Sequence, residues 1–308
     1  MPDTYRLVTR SDFDGLVCAA LLKEMNMIHD ILFVHPKDMQ DGKVAVTERD
    51  ITTNLPYVPG VHLAFDHHFS ETLRNEKHDN HIIDPDAPSA ARVVYDYYGG
   101  AERFPNISLE LMEAVDKGDA AQFSRDEILY PDGWSLLNFL MDARTGLGRF
   151  REFRISNYQL MMMLIDECRV KTIDQILQLP DVAERVKLYR EHEPLAVEQI
   201  SRCAEVKSNL VLLNLQREKD IWATNRFTVY ALYPDCNISI HRMWGLQQQN
   251  TVFAIGKSIL DRSSNTNVGE LCLKYGGGGH EAAGTCQVSN DEADKVQAEL
   301  ISQINKDG

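Results

Sequence analysis

The chain has 308 residues, 44% of them hydrophobic and 25% charged, with 32 Lys+Arg against 46 Asp+Glu and a net charge of −14. That length suits one large domain or two ordinary ones, and the balance is that of a soluble globular protein. The acidity counts against a protein that wraps duplex DNA, and no run approaches the roughly 18 apolar residues that span a bilayer. The charge is uneven. Residues 206–308 hold 10 basic and 11 acidic side chains, so the first two thirds carry nearly all of the excess. "MPDTYRLVTRSD" has no apolar core before its first acids, so no secretory signal is expected. Six scattered cysteines (Cys18, Cys168, Cys203, Cys236, Cys272, Cys286), none in a C-x-x-C pair, point to a reducing cytoplasm rather than a zinc ribbon or disulfide scaffold.

In chain order, "YRLVTR" reads as a buried strand, "GLVCAALLKEMNMI" as an apolar helix, "DILFVHP" as a second strand stopped by Pro36, and "VHLAFDHH" as another strand. "SAARVVYDYYGG" reads as a helix ending at Gly99. Strands alternating with helices imply an α/β domain on a parallel sheet, where ligands bind beyond the carboxyl ends of the strands. A helical insert follows: "SLELMEAVDKGDAAQF", "WSLLNFLMDARTG" and "NYQLMMMLIDECRV". Met161 to Met163 sit at helical spacing with Leu160 and Leu164, which makes them core. The helix "VAERVKLYREHEPLAVEQISRCAEV" is expected to kink or split at Pro194 and to connect two domains, 1–205 and 206–308. The second, smaller α+β domain has strand-like runs "NLVLLNL", "RFTVYALYP", "NISIHRMW" and "NTVFAIGKS". The helix "VGELCLKY", a glycine run, the strand "AAGTCQV" and a closing helix from Asp291 complete it.

Chemistry concentrates at three places. In "SDFDGLVC", Asp12 and Asp14 flank Phe13 at a strand end, from which both can reach a metal; one of them alone would be explained as a helix N-cap. Asp66, His67 and His68 end another strand, and three such groups are costly to bury without partners. Asp50, Asp116 and Asp119 are weak signals singly, a turn acid and two helix-end acids. Taken together, these carboxylates and imidazoles, with no thiolate, suit manganese better than structural zinc. In "KYGGGGHEAAG", Gly276 to Gly279 and His280 offer backbone amides and an imidazole to a phosphate or nucleotide; no Lys-Ser/Thr follows, so this is not a Walker loop.

D-x-D-G, D-H-H and G-G-G-G-H, in that order and across nearly the whole chain, resemble the DHH phosphoesterase family with its DHH-associated C-terminal domain. The family spans single-strand exonucleases, oligoribonucleases, cyclic-dinucleotide phosphodiesterases and, with another C-terminal domain, exopolyphosphatases. The resemblance implies a DHH catalytic domain over 1–205, a substrate-binding domain over 206–308, and one or two Mn2+ ions. Asp12 and Asp14 would ligate different ions, Asp50 would bridge them, and His67 and Asp116 would complete the ligand set of the second ion, with Asp119 as competitor to Asp116. Asp66 would support the cluster and His68 would face the substrate. Gly277, Gly278, Gly279, His280 and Lys257 would bind substrate, Lys257 standing where members carry an arginine. Many members have a histidine two residues before the first aspartate, where this chain has Arg10, which cannot ligate a metal. Three readings stay open there: His35 completes the site, the site holds one tight ion, or Arg10 binds phosphate in place of a metal. Arg242, Arg92 and the arginines of "DARTGLGRFREFR" are further cations whose ordinary explanation is a solvated surface.

The expected function is therefore manganese-dependent hydrolysis of a short single-stranded oligonucleotide or dinucleotide. An exopolyphosphatase-like activity on inorganic polyphosphate and a catalytically weakened nucleotide-binding module are the alternatives. No membrane or duplex DNA partner is expected, and a homodimer is open.

Overall fold

The computed structural model describes residues 4–308. The chain divides into two units: one runs to Gln122 and resumes from Asp132 to Lys187, the other takes Phe123–Pro131 and Leu188–Gly308. The Pro180–Cys203 helix belongs to both and passes unbroken through Pro194, so the expected split does not occur.

The first unit is built on five parallel strands, β1 (Tyr5–Thr9), β2 (Ile28–Phe33), β3 (Asp50–Thr53), β4 (Leu63–Asp66) and β5 (His81–Ile83), in the order β2-β1-β3-β4-β5. β3 is not legible as a strand in the sequence, because "DITT" is short and does not alternate. All four of its residues are nevertheless buried, since it lies between β1 and β4. The chain leaves β1 for β2 on one side and returns to β3 on the other. The carboxyl ends of β1 and β3 therefore flank the switch point at which open α/β sheets bind ligands.

Directly after β1 the chain turns into the Phe13–Glu24 helix, whose residues Phe13 to Leu22 are all buried. Being apolar all round, it packs against the Ala90–Tyr97, Leu109–Asp119 and Asn157–Val170 helices. The turn into it accepts only glycine: a Cβ at Gly15 would lie 2.1 Å from the Arg10 carbonyl oxygen. Leu160, Met161 and Leu164 are buried core, as their spacing predicts.

The second unit holds a six-stranded sheet of β6 (Ala204–Lys207), β7 (Leu210–Asn214), β8 (Ile238–Trp244), β9 (Thr251–Lys257), β10 (Gly278–His280) and β11 (Ala283–Val288), ordered β10-β11-β9-β8-β7-β6. Only β7 and β8 pair in parallel. Alternate residues Leu210, Leu212, Ile238, Ile240, Phe253 and Ile255 pack with Leu271 and with Val296, Leu300 and Ile304 of the Ala293–Asp307 helix. "RFTVYALYP" corrects a strand expectation: it contains the Thr228–Leu232 helix, with Thr228 to Ala231 all buried. Burial on every side gives a helix turn the same apolar composition as a core strand. The Tyr230 hydroxyl fixes it by donating to the Gly256 carbonyl (2.8 Å), with the Ser239 hydroxyl 2.9 Å away. No helix among the described residues is long and apolar enough to cross a membrane.

Candidate active site

Asp14 lies in the first turn of the Phe13–Glu24 helix, 2% exposed. Its carboxylate accepts the backbone N–H groups of Ala90 (3.1 Å) and Ala91 (2.8 Å), at the start of the Ala90–Tyr97 helix. A helix N-terminus thus holds the acid, as its partial positive charge favours. Asp12 is the N-cap of the Phe13–Glu24 helix, its Oδ1 accepting the Gly15 N–H at 3.0 Å. Capping therefore accounts for one acid of D-x-D-G and leaves the other for a different task.

His67 and Asp119 complete a group with Asp14 in which one donor atom of each lies within 4.8 Å of the others. The His67 Nδ1 is 3.2 Å from the Ala87 carbonyl, which requires the proton on that nitrogen, so Nε2 is the nitrogen that can donate an electron pair once a cation displaces its proton. Nε2 is buried without a well-aligned hydrogen bond, 2.9 Å from Asp119 Oδ2. Burial pushes the Asp14 carboxyl well above the usual range, and the neighbouring Asp119 adds to this. Burial works against a charged His67, but Asp119 and Asp14 outweigh it and raise the imidazole to about 9. Burial likewise works against ionised Asp119, yet His67 holds its carboxyl below the ordinary value. Two crowded carboxylates and an imidazole whose far nitrogen is fixed by a carbonyl are the donor set of a manganese, iron or zinc site. The group fits a divalent cation.

Beside it, Asp66 is fully buried at the end of β4. Its Oδ1 accepts the His67 backbone N–H (2.9 Å) and faces His68 Nδ1 at 2.7 Å, while Oδ2 is buried with no partner. Asp66 therefore orients His68, whose side chain is one-third exposed. The Asp-His-His run splits into a support, a donor for a cation, and an imidazole turned toward solvent.

Other expected residues go elsewhere. Asp50 opens β3 and pairs with Arg6 of β1, so it sits at the amino edge of the sheet, opposite the group. Its Oδ1 meets Arg6 Nε at 2.6 Å, and its Oδ2 accepts the Thr47 N–H (2.6 Å) and hydroxyl (3.1 Å). Burial opposes its charge, but these partners prevail and hold its carboxyl below the usual range. It is a satisfied structural acid, and its position rules it out as a bridge between ions. Asp116 is likewise not in the group: it accepts the Ser89 hydroxyl (2.7 Å) and the Arg92 guanidinium (3.0 and 2.5 Å). His35 caps the Pro36–Gln40 helix through Nδ1.

Arg10 closes the site on the β1 side, its Nε 3.0 Å from Asp12 Oδ2. Across the switch point stands Asn54, directly after β3, 1% exposed and with φ 54°. Its Nδ2 is 3.4 Å from Asp12 Oδ1, and its own Oδ1 is buried with no partner. Sequence reasoning missed Asn54. A polar residue next to a strand end would have signalled it, had β3 been recognised.

In the second unit the glycine run forms the edge strand β10. A Cβ at Gly277 would fall 2.1 Å from the Thr285 carbonyl oxygen, and one at Gly279 2.3 Å from that of Ala283. At Gly276 and Gly278 a Cβ would meet nothing within 4 Å, but Gly276 has φ 73°, so within the run Gly278 alone has neither a packing nor a backbone reason to be glycine. Gly256 pairs with Ala283, and Ala283 with His280, which brings Lys257 to the same corner; its Nζ is 3.2 Å from Glu281. Arg242 reaches Asp294 (2.7 Å) and Gln297 (2.9 Å) on the closing helix.

No family model matches the chain, and no curated protein matches it. Among solved structures, the pGpG-specific phosphodiesterase PggH of Vibrio cholerae shares 67% identity at a TM-score of 0.89, covering 99% of this chain and 100% of that one. The exonuclease RecJ bound to manganese has the same fold at 13% identity and TM-score 0.53, over 97% of this chain and 90% of its own. CDC45 of Entamoeba histolytica is similar in fold at 8% identity and TM-score 0.50, over 98% of this chain and 95% of its own. The chain belongs to the DHH family of phosphoesterases.

Proposed function

We propose that the chain hydrolyses a short linear dinucleotide, pGpG first among candidates, with a divalent ion, manganese before others, held by Asp14, His67 and Asp119. The observation that carries the chemistry is the convergence of those three donors beside the Asp66–His68 pair at the carboxyl end of the sheet. The full-length 67% identity to a pGpG-specific phosphodiesterase supports the substrate. When bound, the ion would supply a water acidic enough to attack near neutral pH and a positive charge for the phosphoryl oxygens.

The chain's own residues do the rest. His68, its Nδ1 steadied by Asp66, meets the scissile phosphate or gives the departing 3′-oxygen its proton through Nε2. Arg10, beside Asp12 on the β1 side, contacts the same phosphate in this reading. Water adds to phosphorus, the P–O3′ bond breaks, and two 5′-mononucleotides leave. Residues 1–205 hold this chemistry, while residues 206–308 bind the substrate through Gly277 to Gly279, His280 and Lys257. A polar set of this kind, with six free thiols, belongs to the reducing cytoplasm.

The test offers pGpG, a 5′-phosphorylated pentanucleotide and inorganic polyphosphate in parallel to the whole protein with Mn2+, beside His68→Ala. Mononucleotide release from pGpG, lost in the variant, is the expected result. Turnover of polyphosphate alone would replace the reading with the exopolyphosphatase one.

A further inference from the structure

We infer that the site is built for one divalent ion, and that the Arg10 guanidinium stands as a fixed cation where a second ion would be needed, gripping the substrate phosphate. This deepens the phosphoesterase reading and rests on it.

Asp14, His67 and Asp119 are the one group of His, Cys, Asp and Glu among the described residues whose donor atoms crowd closely enough to hold a metal. A neighbouring ion would need a further set of free carboxylate oxygens, and among the described residues no second such group crowds together. Asp12, the acid nearest the switch point, has both oxygens engaged: Oδ2 by Arg10, Oδ1 by the Gly15 N–H and the Asn54 amide. The end of β3 supplies Asn54, which is neutral, and the acid that β3 does carry, Asp50, is committed to Arg6 at the opposite edge. Asn54 Oδ1, buried and unpartnered, marks the spot as shaped for a polar neighbour rather than for packing.

Charge balance points the same way. Asp12, Asp14 and Asp119 carry three negative charges, which one divalent ion and one guanidinium neutralise. A second ion would have to share the Asp12 carboxylate with the guanidinium already paired to it. The guanidinium cannot lose its proton or ligate an ion. Its charge acts on both Asp12 and Asp119, and its Nε lies 3.0 Å from Asp12 Oδ2, so it borders the donor group on the β1 side. With Nε on Asp12, its other N–H groups are the donors that would fork onto a phosphate.

The test counts ions. The whole protein is loaded with Mn2+, freed of excess by gel filtration and assayed for bound metal, then titrated calorimetrically. One ion per chain is expected in the wild type, and a second in the double variant Arg10→His with Asn54→Asp. Two ions in the wild type would overturn the inference whatever the activity. The dinucleotide assay separates the two readings: one ion with no pGpG cleavage sinks the proposed substrate and leaves the ion count standing. In Arg10→Ala the ion count should stay at one while KM for pGpG rises at least ~10-fold, the loss of a charged hydrogen bond, with partial recovery in Arg10→Lys. An unchanged KM in Arg10→Ala would remove the phosphate-gripping role.

Discussion

The two ends of the parallel sheet treat aspartate in opposite ways. At the amino edge, Asp50 meets one arginine and two donors of Thr47, and its charge is matched where it stands. At the carboxyl end, buried Asp14 and the more exposed Asp119 crowd one imidazole with no arginine between them. The first acid holds two strands together. The second pair is a standing unfavourable arrangement that a divalent cation would relieve. An acid's role is therefore read from what has already been supplied to balance it, not from its burial.

The sharpest way to break the comparison is His67→Ala. Losing a direct donor should weaken Mn2+ binding by more than the roughly 10–100-fold typical of an outer-shell loss, read by calorimetry. Thermal stability without metal should hardly fall, because the carboxyl end was never internally balanced. A large stability loss with ion affinity intact would erase the distinction between the two ends.

Asp50→Asn should do the reverse. It should cost about 1–3 kcal/mol by denaturant melt, because charged hydrogen bonds are removed and Arg6 loses its partner. The ion count should be unchanged. The pH dependence has a definite sign. A carboxylate held below its unfolded value stabilises the fold at pH above that value, about 3.9, and the stabilisation disappears as pH falls through the depressed folded value. The gap between wild type and Asp50→Asn should thus be full at neutral pH and close under acid. A gap that widens on acidification would contradict the assignment.

The smallest effect extends the comparison to the second unit, where scaffold and site share one glycine run. Gly277→Ala must displace the Thr285 backbone and should cost about 1–3 kcal/mol. Gly278→Ala should stay within about 0.5 kcal/mol while raising KM for the dinucleotide. Equal stability losses at both positions would make the run purely structural.

Much of this was legible in the sequence, and the failures have a common cause. Asp12, Asp14, Asp66, His67 and His68 were readable because each follows its strand directly, so local spacing decides where it goes. Asp50 misled because the direction of β3 within the sheet decides which edge it joins, and a four-residue strand announces neither its existence nor its direction. Asp116 and Asp119 are three residues apart on one helix, and the phase of that helix assigns one to Arg92 and the other to His67. Asn54 stayed invisible because its significance comes from the register of β3 against β1. The buried "TVYAL" turn resembles a strand in composition and becomes a helix through tertiary packing around Tyr230.

The central claim is tested most directly by setting Asp119→Asn against Asp116→Asn, measuring bound Mn2+ and pGpG cleavage on the same samples. The account predicts that Asp119→Asn loses the ion and the turnover together, while Asp116→Asn keeps both and loses only some stability. Retention of ion and activity in Asp119→Asn, with their loss in Asp116→Asn, would contradict it.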